Sequence, residues 1–440
     1  MITASSTFRQ LRDRIAKLQW PLELGLVVAI ALVVRLCYLK LFASSYVPFS
    51  DADQYVDIAR HVARGDGIAM QWPSLEVHPT AFRPPVWPAV LGLWVWIGGD
   101  GIGWMQSLNI ILGCISVAVL YLAARSIGGR RCAVATSVVF ALYLPLLAND
   151  VTTLSETLAS LICIGLLWSL FCQRFAVAGV LATLLALTKP TGVLVFAAIG
   201  VAVLGVQLIE NRRAGFRKAL RGTAVFCAVG VLVLLPWSIR NHREVGTWSL
   251  TTSTGFNLAA IYAPPAVEAR AFVDPVYAPE YQDPASALDR LNEGAWNESL
   301  MEKGREGLRQ YPGYSWVVVK RNLASWFELD PSSNAEAELF DGRDPRLATS
   351  TVLAFFGVTV VGLAGWFVIG LRSRRLIRLT IFSAVLAGVV TATSLLFVAA
   401  PRLRSPFDLC MCIGCGLFFA QRPSDSVEGA PVVSKRSFAV

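Results

Sequence analysis

Charged side chains are scarce in this chain. They make up 16% of its 440 residues, whereas 55% of the residues are hydrophobic and the mean hydropathy is +0.56. A water-soluble protein of this length would expose too much apolar surface, so a soluble enzyme or binding module is excluded. The composition predicts an all-α polytopic membrane protein.

The two long loops that we place outside the membrane, 43–103 and 239–349, contain no cysteine, so no disulfide framework is expected there. All nine cysteines lie in or beside apolar segments. The run CMCIGC, from Cys410 to Cys415, has no histidine nearby, and we interpret its thiols as packing groups rather than metal ligands.

The net charge of +9 does not indicate a nucleic-acid partner, because the basic residues are sorted by segment. Segments with a basic excess hold 20 of the 39 Lys and Arg and only four acids: 1–21, 125–131, 173–174, 210–222, 372–378 and 421–440. The two long loops hold 22 acids and 14 bases. This is the positive-inside bias of membrane proteins, which predicts that both termini are cytoplasmic.

Apolar runs predict about ten membrane crossings, at 22–42, 104–124, 131–148, 152–172, 175–188, 191–209, 222–238, 350–371, 379–400 and 406–420. The apolar run 86–99 has only 14 residues and contains three Trp. Counting it as a crossing would invert every later loop, so we predict a helix at the outer interface.

This topology predicts five parts of the chain: a cytoplasmic N-terminus 1–21, a transmembrane bundle 22–238 that includes the first exterior loop, an exterior region 239–349, transmembrane helices 350–420 and a cytoplasmic tail 421–440. The exterior region contains an amphipathic stretch with helical spacing, which predicts a small helical segment.

Ionisable residues from separated segments lie at the predicted outer face of the bundle: Asp51, Asp53, Arg83, Asp150, Glu156, Lys189, Arg240, Arg402 and Arg404. Their convergence on one interface indicates a site. Arginine and lysine bind phosphate through charge-assisted contacts, and a carboxylate can accept a proton from an attacking hydroxyl. The set fits displacement at a sugar carbon with a lipid phosphate as the leaving group. The candidates to hold that phosphate are Arg83, Lys189, Arg240, Arg402 and Arg404, and the candidate acceptor-binding or secondary acids are Asp53, Asp150 and Glu156.

Structural alternatives remain open for these residues. Asp51 and Asp53 also suit the N-terminus of a predicted helix 53–64, where Asp is a favoured cap. Glu156, just inside an apolar helix, needs a partner and would find one either in Arg35 or in the substrate. Lys189 is suited to snorkelling to the interface before Pro190 as well as to phosphate binding.

Arg402 and Arg404 are two residues apart, so at most one of them faces a site if their segment is extended. The other histidine and acidic residues of the exterior loops give no metal-ligand spacing, and no metal site is predicted from the residues themselves.

The first exterior loop resembles that of the membrane-embedded GT-C glycosyltransferases, in particular bacterial members akin to protein O-mannosyltransferases and the lipid A aminoarabinose transferase. The stretch SDADQYVDIARHVARGDGI and the later HPTAFRPPVWPAVLGLW carry the resemblance. Such loops begin with Asp, continue with Tyr four residues on and an Ala-containing interfacial helix, and end with a basic residue before two prolines. Here these are Asp51, Tyr55, Ala59 and the run from Arg83 to Pro85.

Further motifs follow in the family's order: LSETL at 154–158, TKPTG at 188–192, PWSIRN at 236–241 with TTSTGFNLA after it, and PRLRSPFD at 401–408. The resemblance implies a GT-C-like bundle with interfacial helices in the first exterior loop. It also implies a bacterial inner-membrane enzyme that transfers a sugar, with inversion, from a polyprenyl-phosphate donor to an envelope acceptor (a glycan, lipid or protein) on the periplasmic face.

By this resemblance Asp51 is the general base, and Arg83 stands where relatives often have Lys. Asp53 is not at the base position. Asp53 is instead a candidate for acceptor binding, or for a divalent metal site formed by the DAD run, as in oligosaccharyltransferases. Members of the O-mannosyl type generally work without a metal, so no cofactor is expected.

Two other classes of function remain as alternatives. A lipid-linked sugar flippase or transporter should carry ionisable or Gly/Pro-broken helices near the bilayer midplane, whereas the ionisable residues here lie at the helix ends. A non-catalytic scaffold subunit requires no convergent acids and bases, and it predicts that Asp51→Asn is harmless.

Overall fold

The computed structural model describes residues 3–72, 77–210, 216–278, 281, 292–329, 341–373 and 375–420, and their side chains from residue 19 onward apart from 218 and 219. The predicted cytoplasmic tail 421–440 lies outside the described residues.

Helices make up nearly all of the regular structure. They are α1 Thr3–Phe42, α2 Asp51–Arg64, α3 Val86–Gly98, α4 Ile102–Leu142, α5 Leu144–Asp150, α6 Glu156–Phe171, α7 Phe175–Ala186, α8 Gly192–Glu210, α9 Phe216–Glu244, α10 Ser253–Tyr262, α11 Pro264–Ala269, α12 Glu293–Gln310, α13 Tyr314–Trp326, α14 Ala348–Gly365, α15 Ile377–Leu396 and α16 Ser405–Phe419. Short 3₁₀ turns occupy Pro345–Leu347 and Pro401–Arg404, and a π-helical turn occupies Trp366–Gly370. Strands β1 Ala69–Gln71 and β2 Val77–Pro79 form one antiparallel pair, with Met70 opposite His78. The all-α prediction is confirmed.

Six helical segments among the described residues are long and apolar enough to cross a membrane: Gln19–Phe42, Ile102–Leu142, Gly192–Glu210, Leu220–Glu244, Pro345–Gly370 and Ile377–Leu396. They cover or overlap seven of the ten predicted crossings, because Ile102–Leu142 contains 104–124 and the first part of 131–148, which continues into α5. The other three coincide with the shorter helices α6, α7 and α16. The chain is a polytopic membrane protein, as its composition predicts.

Helix α4 is two helices joined at a sharp break. Gly129 has φ +81° and ψ −167°, a conformation outside the helical region that glycine adopts without steric cost. The side-chain amide of Gln106 donates to the carbonyl of Val151 (2.7 Å), and that of Asn109 to the carbonyl of Thr152 (2.8 Å). The chain therefore turns back between these residues, as two successive crossings require.

Helix α3 forms at the short apolar run of the first exterior loop. Its 13 residues extend about 20 Å at 1.5 Å per residue, less than the roughly 30 Å hydrocarbon thickness of a bilayer. Trp87 and Leu91 are fully buried. A Cβ added at Gly92 would lie 2.6 Å from the side chain of Val62, so the glycine lets α3 lie directly against α2.

The innermost helix, α16, packs through small residues. A Cβ on Gly365 of α14 would lie 1.9 Å from the carbonyl oxygen of Gly414, an approach that only glycine permits. Cys410, Cys412 and Cys415 are buried free thiols, which agrees with their interpretation as packing residues.

The two exterior loops pack into one cap. The carboxylate of Glu293 accepts bonds from the Thr80 hydroxyl (2.7 Å), the Ala81 amide (2.9 Å) and the Thr252 hydroxyl (2.5 Å). Trp72 of the first loop and Trp296 of the second meet edge to face, with ring centroids 5.4 Å apart. Because Glu293 is only 4% exposed and satisfied from both loops, it fixes their relative position.

Candidate active site

Asp51 is the first residue of α2. The residue before it, Ser50, has φ +52° and ψ −115°, an uncommon backbone conformation for a residue other than glycine, and such conformations occur disproportionately at functional sites. Ser50 occupies the cap position and makes no side-chain cap bond, so the predicted capping by Asp51 or Asp53 is not observed. Both acids instead lie in the first turn, where the helix dipole favours negative charge.

Each carboxylate oxygen of Asp51 bonds an arginine from a distant part of the chain. Arg83 donates from Nη2 to Oδ1, and Arg402 donates from Nη2 to Oδ2 at 2.6 Å. Arg83 is held in turn by Gln54, whose Oε1 accepts from Nε at 2.7 Å. The first loop and the segment before α16, 351 residues apart, therefore meet at Asp51.

The electrostatics of Asp51 follow from this contact. Burial opposes ionisation, but the positive charges of Arg83, Arg402 and Lys189 outweigh it and lower the pKa of Asp51 well below its ordinary value. The side chain remains 28% exposed, so it is accessible from outside the protein. Asp51 is ionised and reachable.

A second ion pair lies beside the first. Lys189, between α7 and α8, contacts Oε1 of Glu156 at 2.5 Å, and Glu156 begins α6. The Nε of Arg402 lies 3.9 Å from the same Glu156 oxygen. Glu156 thus pairs with Lys189 rather than with Arg35, the structural partner considered from the sequence.

Asp341 is an acid of this cluster that the sequence did not single out. Its Oδ1 lies 3.1 Å from Nε of Arg402, and its side chain is fully buried. The residue comes from the end of the exterior region 239–349, in the run DGRD, which has no signal beyond one acid among many.

Six groups therefore make up the site, which we call the acid–base cluster: Asp51, Glu156, Asp341, Arg83, Lys189 and Arg402. Three are acids and three are bases, so their formal charges cancel.

Arg404 and Arg240 lie apart from the acid–base cluster. Arg404 is fully buried; it donates to the Trp326 carbonyl at 2.7 Å and pairs with Glu328. Arg240 donates to the carbonyls of Thr80 and Ile68, each at 2.7 Å. Arg402 joins the cluster and Arg404 does not; their segment is a 3₁₀ turn, so the expectation for an extended segment does not apply to it.

Asp150 pairs with Arg35 inside the bundle. Arg35 Nη2 lies 2.6 Å from Asp150 Oδ2, and the Thr157 hydroxyl donates to Oδ1 at 2.7 Å. Arg35 is fully buried and Asp150 is 4% exposed. The structure places Asp150 in a closed ion pair, outside the acid–base cluster.

Asp53 does not converge with Asp51. It is exposed, and Asp57 and Arg60 are the charges around it. Within the described part of the chain, no three His, Cys, Asp or Glu residues are grouped as metal ligands would be.

The comparisons with known proteins bear on the fold. The sequence matches no protein-family model, and it matches no curated protein. Among solved structures it is similar to the archaeal oligosaccharyltransferase AglB from Archaeoglobus fulgidus in complex with an inhibitory peptide and a dolichol-phosphate, with TM-score 0.55 and 14% identity over 91% of this chain and 50% of that one. An Archaeoglobus fulgidus oligosaccharyltransferase in the apo form gives TM-score 0.53 with 12% identity, over 90% of this chain and 50% of that one.

A further similarity is to ArnT from Cupriavidus metallidurans bound to undecaprenyl phosphate, with 17% identity over 89% of this chain and 77% of that one; its TM-score of 0.38 is too low to support an inference. The chain spans about half the length of the solved oligosaccharyltransferases that it matches. The fold of the chain is similar to that of these oligosaccharyltransferase structures.

Proposed function

We propose that the protein is an integral-membrane glycosyltransferase of the bacterial inner membrane. It transfers a sugar from a polyprenyl-phosphate donor to an envelope acceptor on the periplasmic face, with inversion and with Asp51 as general base. The observation that carries the proposal is the contact of one accessible carboxylate, Asp51, with Arg83 and Arg402 from distant segments. The fold supports it, since the AglB structure that it resembles was determined with a dolichol-phosphate.

The reaction is a single displacement. An acceptor hydroxyl attacks the anomeric carbon from the face opposite the lipid phosphate, and its proton passes to a carboxylate oxygen of Asp51. The bond between the anomeric carbon and the phosphate oxygen breaks, and its electron pair leaves with the phosphate. Arg83, Lys189 and Arg402 stabilise the charge that develops there.

The low pKa of Asp51 has a consequence for this role. A carboxylate clamped by two arginines is a weak base, because protonation would forfeit both contacts. Phosphate contacts that draw Arg83 and Arg402 towards the donor weaken the clamp and raise the basicity of Asp51. General-base action therefore follows donor binding.

Arg240 and Arg404, which the sequence analysis included among the phosphate ligands, are assigned other roles by their contacts. Arg240 holds the first exterior loop through the Thr80 and Ile68 carbonyls, and Arg404 neutralises Glu328. Asp53, exposed in the first turn of α2, is the candidate for acceptor contact.

The test uses detergent-purified protein and a panel of radiolabelled polyprenyl-phosphate sugars, with and without host envelope extract. Sugar release from one donor is expected, and Asp51→Asn should reduce it by at least about a thousandfold while donor binding persists, as expected for loss of an essential proton acceptor. Asp100→Asn is the matched control, since Asp100 lies in the same loop with its side chain 70% exposed.

Equal turnover by Asp51→Asn and the wild-type protein would refute the assignment of the base. An inactive wild type, together with normal envelope glycosylation in cells that carry Asp51→Asn, would favour a scaffold instead. Movement of donor across vesicles without sugar release would favour the transporter.

A further inference from the structure

We propose that Asp341 is a positioning residue that occupies Arg402 in the donor-free protein and is displaced by the donor phosphate. This inference rests on the proposed function. The end of the exterior region 239–349, which carries Asp341, then takes a direct part in donor binding.

The charges of the acid–base cluster are already balanced in the donor-free protein. Each cation of the acid–base cluster already has a carboxylate partner: Arg83 bonds Asp51, Lys189 bonds Glu156, and Arg402 contacts both Asp51 and Asp341. If a lipid phosphate forms a strong ion pair with one of these cations, the ion pair that the cation already makes with a carboxylate is weakened. Donor binding is therefore an exchange of anions.

Asp341 is the anion of the cluster that is least stabilised. Asp51 and Glu156 are the first residues of α2 and α6, where the helix dipoles stabilise their charge. Asp341 does not begin a helix, and among the described residues neither of its oxygens has a hydrogen-bond partner with good geometry, although Oδ1 lies 3.1 Å from Arg402 Nε. Burial raises the pKa of Asp341 in spite of Arg402 and Arg343, so its charge, unlike that of Asp51, is incompletely compensated.

The described residues engage Arg402 only partly as a hydrogen-bond donor. Its Nη2 bonds Asp51, whereas Nε and Nη1, both buried, have no hydrogen-bond partner among the described residues. Nε and Nη1 lie on different edges of the guanidinium, and Asp341 approaches the edge that carries Nε. Arginine binds phosphate best when several of its N–H groups are engaged. Asp341 holds Arg402 in place beside Asp51 but leaves this donor capacity unused.

The residue after Asp341 has a backbone conformation that favours glycine. Gly342 has φ +63°, and a Cβ there would lie 2.6 Å from the ring of Tyr46. Glycine adopts this conformation without a steric penalty, so the turn that follows Asp341 can form beside Tyr46. Asp51 and Glu156 each begin a helix, whereas Asp341 directly precedes this turn.

The experiment measures the Kd of undecaprenyl phosphate for the full-length protein in detergent, by isothermal titration calorimetry. Asp341→Asn removes the competing charge and keeps the shape, so binding should tighten by about tenfold, the effect of removing one charge-assisted contact that opposes binding. Asp344→Asn is the matched control: it lies three residues away, pairs with Arg346, and should leave the Kd unchanged. Asp341→Ser is the second neutral variant if Asp341→Asn does not fold.

A double-mutant cycle separates competition from a merely structural role. In the Arg402→Gln background, Asp341→Asn should change the Kd by less than about twofold, because the contested cation is gone. Weaker or unchanged binding by both neutral variants at position 341 would overturn this inference and leave the proposed function standing. Failure of the wild-type protein to bind undecaprenyl phosphate or its sugar derivatives would overturn both.

Discussion

The buried pair Arg35–Asp150 gives a prediction of stability that does not depend on the enzymatic proposal. Arg35 is fully buried within the membrane-spanning part of α1, and its Nη2 lies 2.6 Å from Asp150 Oδ2. A Cβ added at Gly113 would lie 2.5 Å from Arg35 Nε and 2.6 Å from Asp150 Oδ2. Gly113 thus packs directly against the pair, and both side chains are shielded from solvent.

Removing either partner leaves an uncompensated charge. We expect Arg35→Met or Asp150→Leu alone to lower the free energy of unfolding by about 3–5 kcal/mol, the cost of breaking a buried ion pair. The Coulomb energy of two unit charges 4 Å apart, about 4 kcal/mol at an effective dielectric constant of 20, agrees with that range. The double substitution Arg35→Met/Asp150→Leu should cost much less than the sum, because no charge is then left unpaired.

The assay is reversible unfolding of the purified protein in mixed micelles, followed by helical circular dichroism, for the wild type, both single variants and the double variant. The interaction energy from this cycle should be at least about 2 kcal/mol. Single variants that each cost under about 1 kcal/mol, or a double variant that costs the full sum, would refute the assignment of a closed and dry ion pair.

Two further predictions concern the exterior face. The pKa of Asp51 is lower in the folded protein than in the unfolded chain, where it is about 3.9. The stability that this carboxylate contributes is therefore fully present at any pH above the unfolded-state pKa. It is lost only as the pH falls through the lower folded-state pKa. The melting-temperature difference between the wild type and Asp51→Asn should therefore stay constant from pH 8 to about pH 5, and a difference that disappears in that interval would contradict the clamp by Arg83 and Arg402. Arg240→Gln should lower the stability of the loop by about 1–3 kcal/mol, because the two bonds from Arg240 to the Thr80 and Ile68 carbonyls are lost. The same substitution should change the Kd of undecaprenyl phosphate by less than about twofold. A tenfold weaker Kd without a loss of stability would instead identify Arg240 as a phosphate ligand.

Apolar run length was enough to predict the fold, because in a bilayer only helices can satisfy the backbone along an apolar segment. The break at Gly129 lay within the predicted basic turn 125–131, where the run GGRR interrupts the apolar pattern. The helix α3 formed where a run too short to span was predicted to lie at the interface. These features depend on local composition, which the sequence carries directly.

Partner choice within the site was not predictable in the same way. Asp150 and Glu156 are six residues apart near one predicted helix end, and no local pattern decides which of them meets Arg35. The end of α5 and the irregular residues 151–155 separate them, and this break directs Asp150 towards α1 and Glu156 towards Lys189. Asp341 depends on contacts across the whole chain and has no sequence signal of its own.

The irregular backbone between α5 and α6 explains how apolar helices can hold a polar site. Carbonyl groups within residues 151–154 lie outside any helix, and at this depth each requires a donor. Side chains supply those donors: Gln106 bonds the Val151 carbonyl, Trp87 the Thr153 carbonyl (2.9 Å), and Asn109 both the Thr152 and Leu154 carbonyls. Two of the three donors lie on α4, and the third, Trp87, lies on α3 of the first exterior loop. The loop that carries Asp51 and the helix that carries Glu156 are therefore both attached to residues 151–154. The separation of Asp51 and Glu156 around Arg402 is therefore set by buried hydrogen bonds to this short segment. In the proposed exchange of anions at Arg402, Asp341 is therefore the carboxylate that is displaced, while the Asp51 and Glu156 carboxylates stay in place.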